Sequence, residues 1–304
     1  MIRFPCKPQK KLACLTVFVL IATVLSILLR IGCLLWFYDA ELGYHQSGAL
    51  LPVLTNWFLA LCVIGCAALS CIFFSKDEIS LPVPMGLSRL SALFPAACAL
   101  VAAFGPHLTG RTEGYVTALP FQPSTLFLIS AVCAVAVFAF FVLLAIGFPK
   151  KGYALPIVLL GLGALIYFIV SLGIAYFDFE VQMNSPNKLT LQLALLCAML
   201  AMLSELRILS GGSKPRMALF SFSVATILLG TSSIPSIAAY LLKIFPASYR
   251  NLFTDVACLG FWLYCLIRML CIAFPKKMEE ASIEEPTEEN PADTADPQEP
   301  QITD

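Results

Sequence analysis

The sequence predicts an all-α, polytopic membrane protein with a bundle of about eight transmembrane helices. Of its 304 residues, 59% are hydrophobic and 12% are charged, whereas soluble domains carry about 25% charged residues. Apolar runs of about 18 or more residues recur, and each is long enough to cross a bilayer core of about 30 Å. These runs place the spans at about 12–38, 50–74, 80–104, 124–148, 153–177, 189–210, 217–242 and 251–274.

Two of the spans need further justification. The first follows basic residues, as a signal peptide would, but its apolar run at 12–29 is longer than a typical signal-peptide core and no small-x-small cleavage site follows it. We therefore expect an uncleaved helix. The third span is the least regular, because Pro82, Pro84 and Arg89 occupy its first half.

The basic residues predict the topology. With the N-terminus inside, the inner segments hold 13 Lys and Arg residues and the outer loops hold 4. This bias predicts a plasma-membrane protein with both termini in the cytoplasm. Residues 275–304 carry ten acidic residues and two lysines, so we expect a disordered acidic cytoplasmic tail. Such a tail either docks a cytoplasmic protein or is simply solvated.

Repeated markers indicate an internal duplication. The pattern L-x-I-x-F-P-K-K occurs at 144–151 and again at 270–277, and "FYDAEL" at 37–42 matches "YFDFEV" at 176–181. The order and spacing of these matches predict two four-helix repeats, 1–149 and 150–274, followed by the tail. Because four is even, both repeats should face the same way, related by an axis along the membrane normal.

The seventh span contains an unusual polar stretch, "GTSSIPS" at 230–236. Pro235 removes a helical donor and frees the carbonyl of Thr231, and the equivalent proline in the first repeat is Pro95. One interpretation is a kink, shared by both repeats, that only packs. The other is that Ser232 and Ser236, on one helix face, line an outward-opening cleft opposite the first helix. The clustered hydroxyls belong to Thr231, Ser232, Ser233 and Ser236.

Ionisable residues within the spans are candidate functional groups. Near the outer side, we expect Arg30 to pair with a carboxylate of the second repeat, with Asp255 as first choice and Asp178 as second. Near the inner side, Glu205 and Arg268 lie at comparable depths and could pair. The favoured interpretation there is that Arg268, like Arg207, extends to the interface.

Two further groups are candidate metal ligands. The acidic residues that follow the first and fifth spans either converge to bind a cation through oxygen atoms or decorate an outer loop; they are Asp39, Glu41, Asp178 and Glu180. Cys62 and Cys66 share a helix face, but buried cysteine usually packs as a small hydrophobe. We predict no resident metal or cofactor.

No catalytic motif is recognisable. The sequence lacks HExxH, GxSxG, Walker A and GxGxxG patterns. It also lacks the basic and aromatic pattern of a nucleic-acid-binding surface. An enzyme is therefore the least favoured class, and the lipid bilayer is the partner that the composition implies.

The stretch "MNSPNKLTLQLALLCAMLAMLSELR" at 183–207 resembles a segment of uncharacterised multi-pass membrane proteins of anaerobic bacteria. In those proteins a similar outer-loop "NSPNK" element leads into a helix that ends in an acidic-x-basic pair. The resemblance implies a bacterial inner membrane protein. It implies no activity and no functional residue.

Two function classes therefore compete. The first is a membrane scaffold or assembly factor, because no strong polar pathway is visible and the tail is acidic. The second is a small-solute transporter or channel-like protein with a site near the seventh helix, suggested by the parallel duplication and the charges within the spans.

Overall fold

The computed structural model describes residues 8–39, 43–46, 48–73, 81, 83–110, 123–147, 154–178, 185–212, 214–245, 249 and 251–274. The predictions for Glu41, Glu180 and the tail at 275–304 lie outside these residues and stay predictions.

Helices make up most of the described chain. In chain order they are α1 (Pro8–Trp36), α2 (Leu50–Phe73), α3 (Leu87–Leu90), α4 (Leu93–Leu108), α5 (Pro123–Ile146), α6 (Ala154–Tyr176), α7 (Pro186–Leu209), α8 (Pro215–Leu241) and α9 (Leu252–Ala273). A two-residue antiparallel ribbon, β1 (Tyr38–Asp39) and β2 (Tyr44–His45), lies between α1 and α2. Eight segments are long and apolar enough to cross a membrane, with α3 and α4 together forming the third. The predicted all-α bundle with eight spans is therefore confirmed.

The third span is shifted from its predicted bounds of 80–104. It runs over Leu87–Leu108, because Pro84 and Gly86 (φ 51°) hold the preceding chain out of helical geometry. Arg89 does not weaken this span. Its Nη2 donates to the carbonyl of Ile146 at the end of α5, where a basic side chain is favourable.

The two prolines that we expected to be equivalent have different settings. The third span is interrupted between α3 and α4 at Ser91 and Ala92, and Pro95 falls in the first turn of α4. In a first turn the missing N–H would have had no helical partner. Pro235 instead lies inside the continuous helix α8. The two prolines therefore differ in their position within a helix, and the predicted kink shared by both repeats stays a prediction.

Helix α8 occupies the centre of the bundle. It packs against α1, α2, α7 and α9, and every residue from 221 to 233 is buried. Helix α9 packs against both α8 and α4, while α4, α5, α6 and α7 follow one another in a row around them. Aromatic rings join this row to α9: Phe141 of α5 contacts Tyr264 at 5.2 Å, and Phe168 of α6 contacts Phe261 at 5.3 Å.

The neighbour relations of the two halves agree only in part. The first and second spans pack together in each half, as α1 with α2 and α6 with α7, and so do the third and fourth. In the second half α7 also packs extensively on α8. Among the described residues, α2 makes no comparable contact with α4 and packs on α8 instead. The duplication stays a prediction.

Close packing of α4 on α9 depends on a glycine. A methyl group at Gly260 would lie 2.7 Å from Cβ of Cys98 and 3.0 Å from the carbonyl oxygen of Phe94. Neither atom belongs to the flexible end of a long side chain, so the two helices would have to separate. Small residues at such contacts let backbones approach closely, which matters in membranes because lipid removes the hydrophobic driving force for helix association.

We predict that Gly260→Ala lowers the free energy of unfolding by about 1–3 kcal/mol, as overpacking does elsewhere. Gly173→Ala in α6 is the matched control, because nothing lies within 4 Å of the added methyl group. That control should be neutral or gain up to about 1 kcal/mol of helix propensity. Chemical denaturation of both variants in detergent micelles measures the difference, and equal stabilities would contradict the close contact.

Candidate functional site

Six Asp, Glu, Lys and Arg side chains are buried among the described residues. Three are cationic and three are acidic: Arg30 (3% exposed), Lys188 (3%), Arg268 (1%), Asp178 (1%), Glu205 (0%) and Asp255 (0%). They lie near the two ends of the bundle. We call the end with the β1–β2 ribbon the outer end and the opposite end the inner end, following the predicted topology. Burying a charge is costly unless hydrogen bonds or an opposite charge compensate it.

Arg30 lies six residues before the end of α1, about 9 Å along the helix. Its Nη2 donates to Oδ1 of Asn187 in α7 over 2.6 Å. The predicted burial of Arg30 and its contact with the second half are therefore found, but the predicted carboxylate partner is wrong. A neutral amide takes that place, while Asp255 accepts a hydrogen bond from Tyr249.

The segment around Asn187 forms hydrogen bonds between the two halves at the outer end. Ser185 Oγ donates to the carbonyl of Gly43 in the ribbon turn over 3.0 Å. Lys188 Nζ donates to the carbonyl of Asp178, just beyond α6, over 2.6 Å. Three nearly consecutive polar side chains of the "NSPNK" element therefore make three separate tertiary contacts. The sequence interpretation assigned them no role, although their position at the start of a buried helix was a signal.

Asp255 bonds to the loop before its own helix. The hydroxyl of Tyr249 donates to Oδ2 of Asp255 over 2.8 Å, and Oδ1 has no hydrogen-bond partner among the described residues. Burial, and then the adjacent Asp255 carboxyl, raise the pKa of Tyr249 well above its usual value of 10. Tyr249 therefore stays a neutral hydroxyl donor at physiological pH.

Aromatic residues cover this outer cluster. Tyr38 contacts His45 edge-on at 5.8 Å and Phe245 at 5.5 Å, and Phe245 contacts Tyr249 at 4.7 Å. Burial, and then the positive charge of Arg30, lower the pKa of His45 from 6.5 to about 4. Burial also raises the pKa of Tyr38 above 10. The side chains of His45 and Tyr38, which lie near Arg30, are therefore uncharged near neutral pH.

The inner end holds an ion pair. Nε of Arg268 in α9 lies 3.4 Å from Oε2 of Glu205 in α7. The favoured expectation that Arg268 extends to the interface is wrong, because its side chain is buried and meets Glu205 instead. Arg207 is exposed, as extension to the interface requires. Helix α7 thus carries a polar contact at each end, Asn187 with α1 and Glu205 with α9.

The hydroxyls of α8 mostly bond within their own helix. Thr231 Oγ1 donates to the carbonyl of Ile227 over 2.7 Å, and Ser233 Oγ donates to that of Leu229 over 2.6 Å. Ser232 and Ser236 are 3% and 7% exposed. In this conformation both serines are buried, and an outward-opening cleft at these positions stays a prediction.

The candidate metal ligands do not form a recognisable centre. Within the described part of the chain, no group of three or more His, Cys, Asp or Glu side chains is placed to hold a metal ion. Cys62 and Cys66 are buried free thiols in α2. Asp178 accepts a bond through its backbone from Lys188 and is buried.

Comparisons of the chain with protein-family models, with curated proteins and with solved structures find no match. The geometry of the two polar ends and of α8 is therefore the basis for any functional interpretation.

The depressed pKa of His45 predicts a pH dependence. Between pH 6.5 and about 4 the unfolded chain binds more protons at this position than the folded one, so acid lowers stability across that window. We expect the thermal midpoint of the detergent-solubilised protein to fall from pH 7 to pH 4.5, and the fall to be smaller in His45→Gln. His107→Gln, at an exposed position, is the control. If the acid-induced fall in thermal midpoint is reduced equally in His45→Gln and His107→Gln, or is reduced in neither, this role of His45 is contradicted.

Proposed function

We propose that this integral membrane protein is a non-transporting scaffold or assembly factor of a bacterial inner membrane, with both termini in the cytoplasm. The observation that carries the proposal is the burial of α8. A solute pathway needs polar groups that face water, whereas the α8 hydroxyls with resolved bonds mostly donate to carbonyls of their own helix. Ser232 and Ser236 are both buried.

The polar contacts also favour a rigid body. At the outer end, contacts from Ser185 and Asn187 join α7 to the first half, while at the inner end Glu205 joins it to α9. A scaffold gains from such fixed geometry, since it presents the same surface to its partner. That partner would be another membrane protein in the bilayer or, through the acidic tail, a cytoplasmic protein.

A small-solute transporter is the second candidate, and one observation favours it. Helix α7 carries polar contacts at opposite ends of the bundle, Asn187–Arg30 and Glu205–Arg268. Two such contacts could open in turn around a site at α8, where Ser232 is buried. In that case this conformation would be the occluded one.

Cysteine accessibility separates the two candidates. Single cysteines at Ser232 and Ser236, in a cysteine-free background, are exposed in intact cells to a membrane-impermeant thiol reagent. We expect both positions to be protected, while Gln46→Cys in the exposed ribbon segment is labelled. Leu229→Cys, at a fully buried α8 position, sets the background.

Labelling at both serine positions above that background, in a protein that still folds, would overturn the scaffold proposal and favour the transporter. Protection of Gln46→Cys would instead contradict the proposed orientation.

A further inference from the structure

A groove runs along the side of the bundle between α2 and α7, with α8 as its floor. Its volume is about 530 Å³, or about 1290 Å³ with its open mouth included. Leu189 and Leu193 on the α7 rim are 45% and 52% exposed. The groove therefore opens sideways, toward the hydrocarbon of the bilayer.

The dimensions of the groove limit what can occupy it. Along α7 its lining extends from Pro186 to Leu200, which is about 21 Å at 1.5 Å per residue. The two volumes then correspond to mean cross-sections of about 25 and 60 Å², whereas an α-helix about 10 Å across needs about 80 Å². A whole transmembrane helix does not fit inside the groove and would only pack across its mouth, whereas a single extended hydrocarbon chain fits within it.

The contact area leads to the same conclusion. Fourteen residues line the groove, whereas a stable protein interface takes about 20–30 residues from each partner. A length of about 21 Å is about two thirds of the 30 Å hydrocarbon core, so the groove, which begins at Pro186 near the outer end, extends through the outer leaflet and past the midplane.

The lining defines the chemistry of the occupant. It is apolar except at a few positions, and the hydroxyls of Thr190 and Ser221 already donate to carbonyls of their own helices. Asn56 is exposed on the α2 rim, toward the outer end, and has no hydrogen-bond partner among the described residues. An amide in this setting needs an acceptor that water does not supply.

We propose that the groove holds one acyl chain of an outer-leaflet phospholipid, whose ester carbonyl accepts a hydrogen bond from the Asn56 amide. Transfer from bulk lipid brings no hydrophobic gain, because the groove and the lipid tails are equally apolar. Selective occupancy comes instead from van der Waals contact on three sides and from the bond at Asn56. This site is independent of the proposed scaffold role.

A matched pair of groove variants tests the proposal. Ala60 lies on the groove and is exposed, and Ala68 is an exposed alanine of the same helix outside the lining. The protein is reconstituted with phosphatidylethanolamine that carries a diazirine near the end of one acyl chain, irradiated, and mapped by peptide mass spectrometry. We expect cross-links enriched at Leu193, Cys197 and Leu228 over Ile166 and Ile169, which are exposed on α6.

Ala60→Phe should abolish the enrichment and Ala68→Phe should preserve it. Asn56→Leu should reduce it about 2- to 10-fold, the loss expected for one hydrogen bond. Uniform labelling of groove and α6, or equal enrichment in the two phenylalanine variants, would overturn the proposal. Cross-linking of the groove to a protein in native membranes would also overturn it, by identifying a different occupant. Each of these results is separate from cysteine labelling at Ser232 and Ser236.

Discussion

Arg30 lies about 9 Å inside the outer end of α1 with only 3% of its side chain exposed, where lipid offers its guanidinium no acceptor. The bond to Asn187 supplies one and brings the start of α7 against α1. The same segment bonds to the ribbon turn through Ser185 and to the end of α6 through Lys188. The need to compensate one buried charge thereby fixes how the first and second halves meet at the outer end.

The centre of the bundle obeys a related constraint. Every residue of helix α8 from 221 to 233 is buried, so its polar groups need partners inside the protein. Hydroxyls such as Thr226 and Thr231 find them four residues back along their own helix. A polar stretch within an apolar helix can therefore be satisfied without water, and its presence alone does not indicate a solute pathway.

These constraints explain what could be predicted from the sequence. Hydrophobic length is a property of each segment alone, so it identified the eight spans; for the third, Pro84 and Gly86 shifted the start. Depth along a helix is also local, so the burial of Arg30 was predictable. Its partner was not, because depth says nothing about which helix face is opposite. For the same reason, the sequence favoured an Arg268 side chain that extends to the membrane interface. In the structure that side chain is buried and contacts Glu205.

The most direct test of this account is a double-mutant cycle on Arg30 and Asn187, measured as free energy of unfolding in detergent micelles. Asn187→Leu should cost about 3 kcal/mol, because it leaves a buried cation without its acceptor. Arg30→Met removes that cation, so adding Asn187→Leu to it should cost far less, with a coupling of about 1–3 kcal/mol. If the two substitutions are additive within about 0.5 kcal/mol, the Arg30–Asn187 contact does not hold the two halves together.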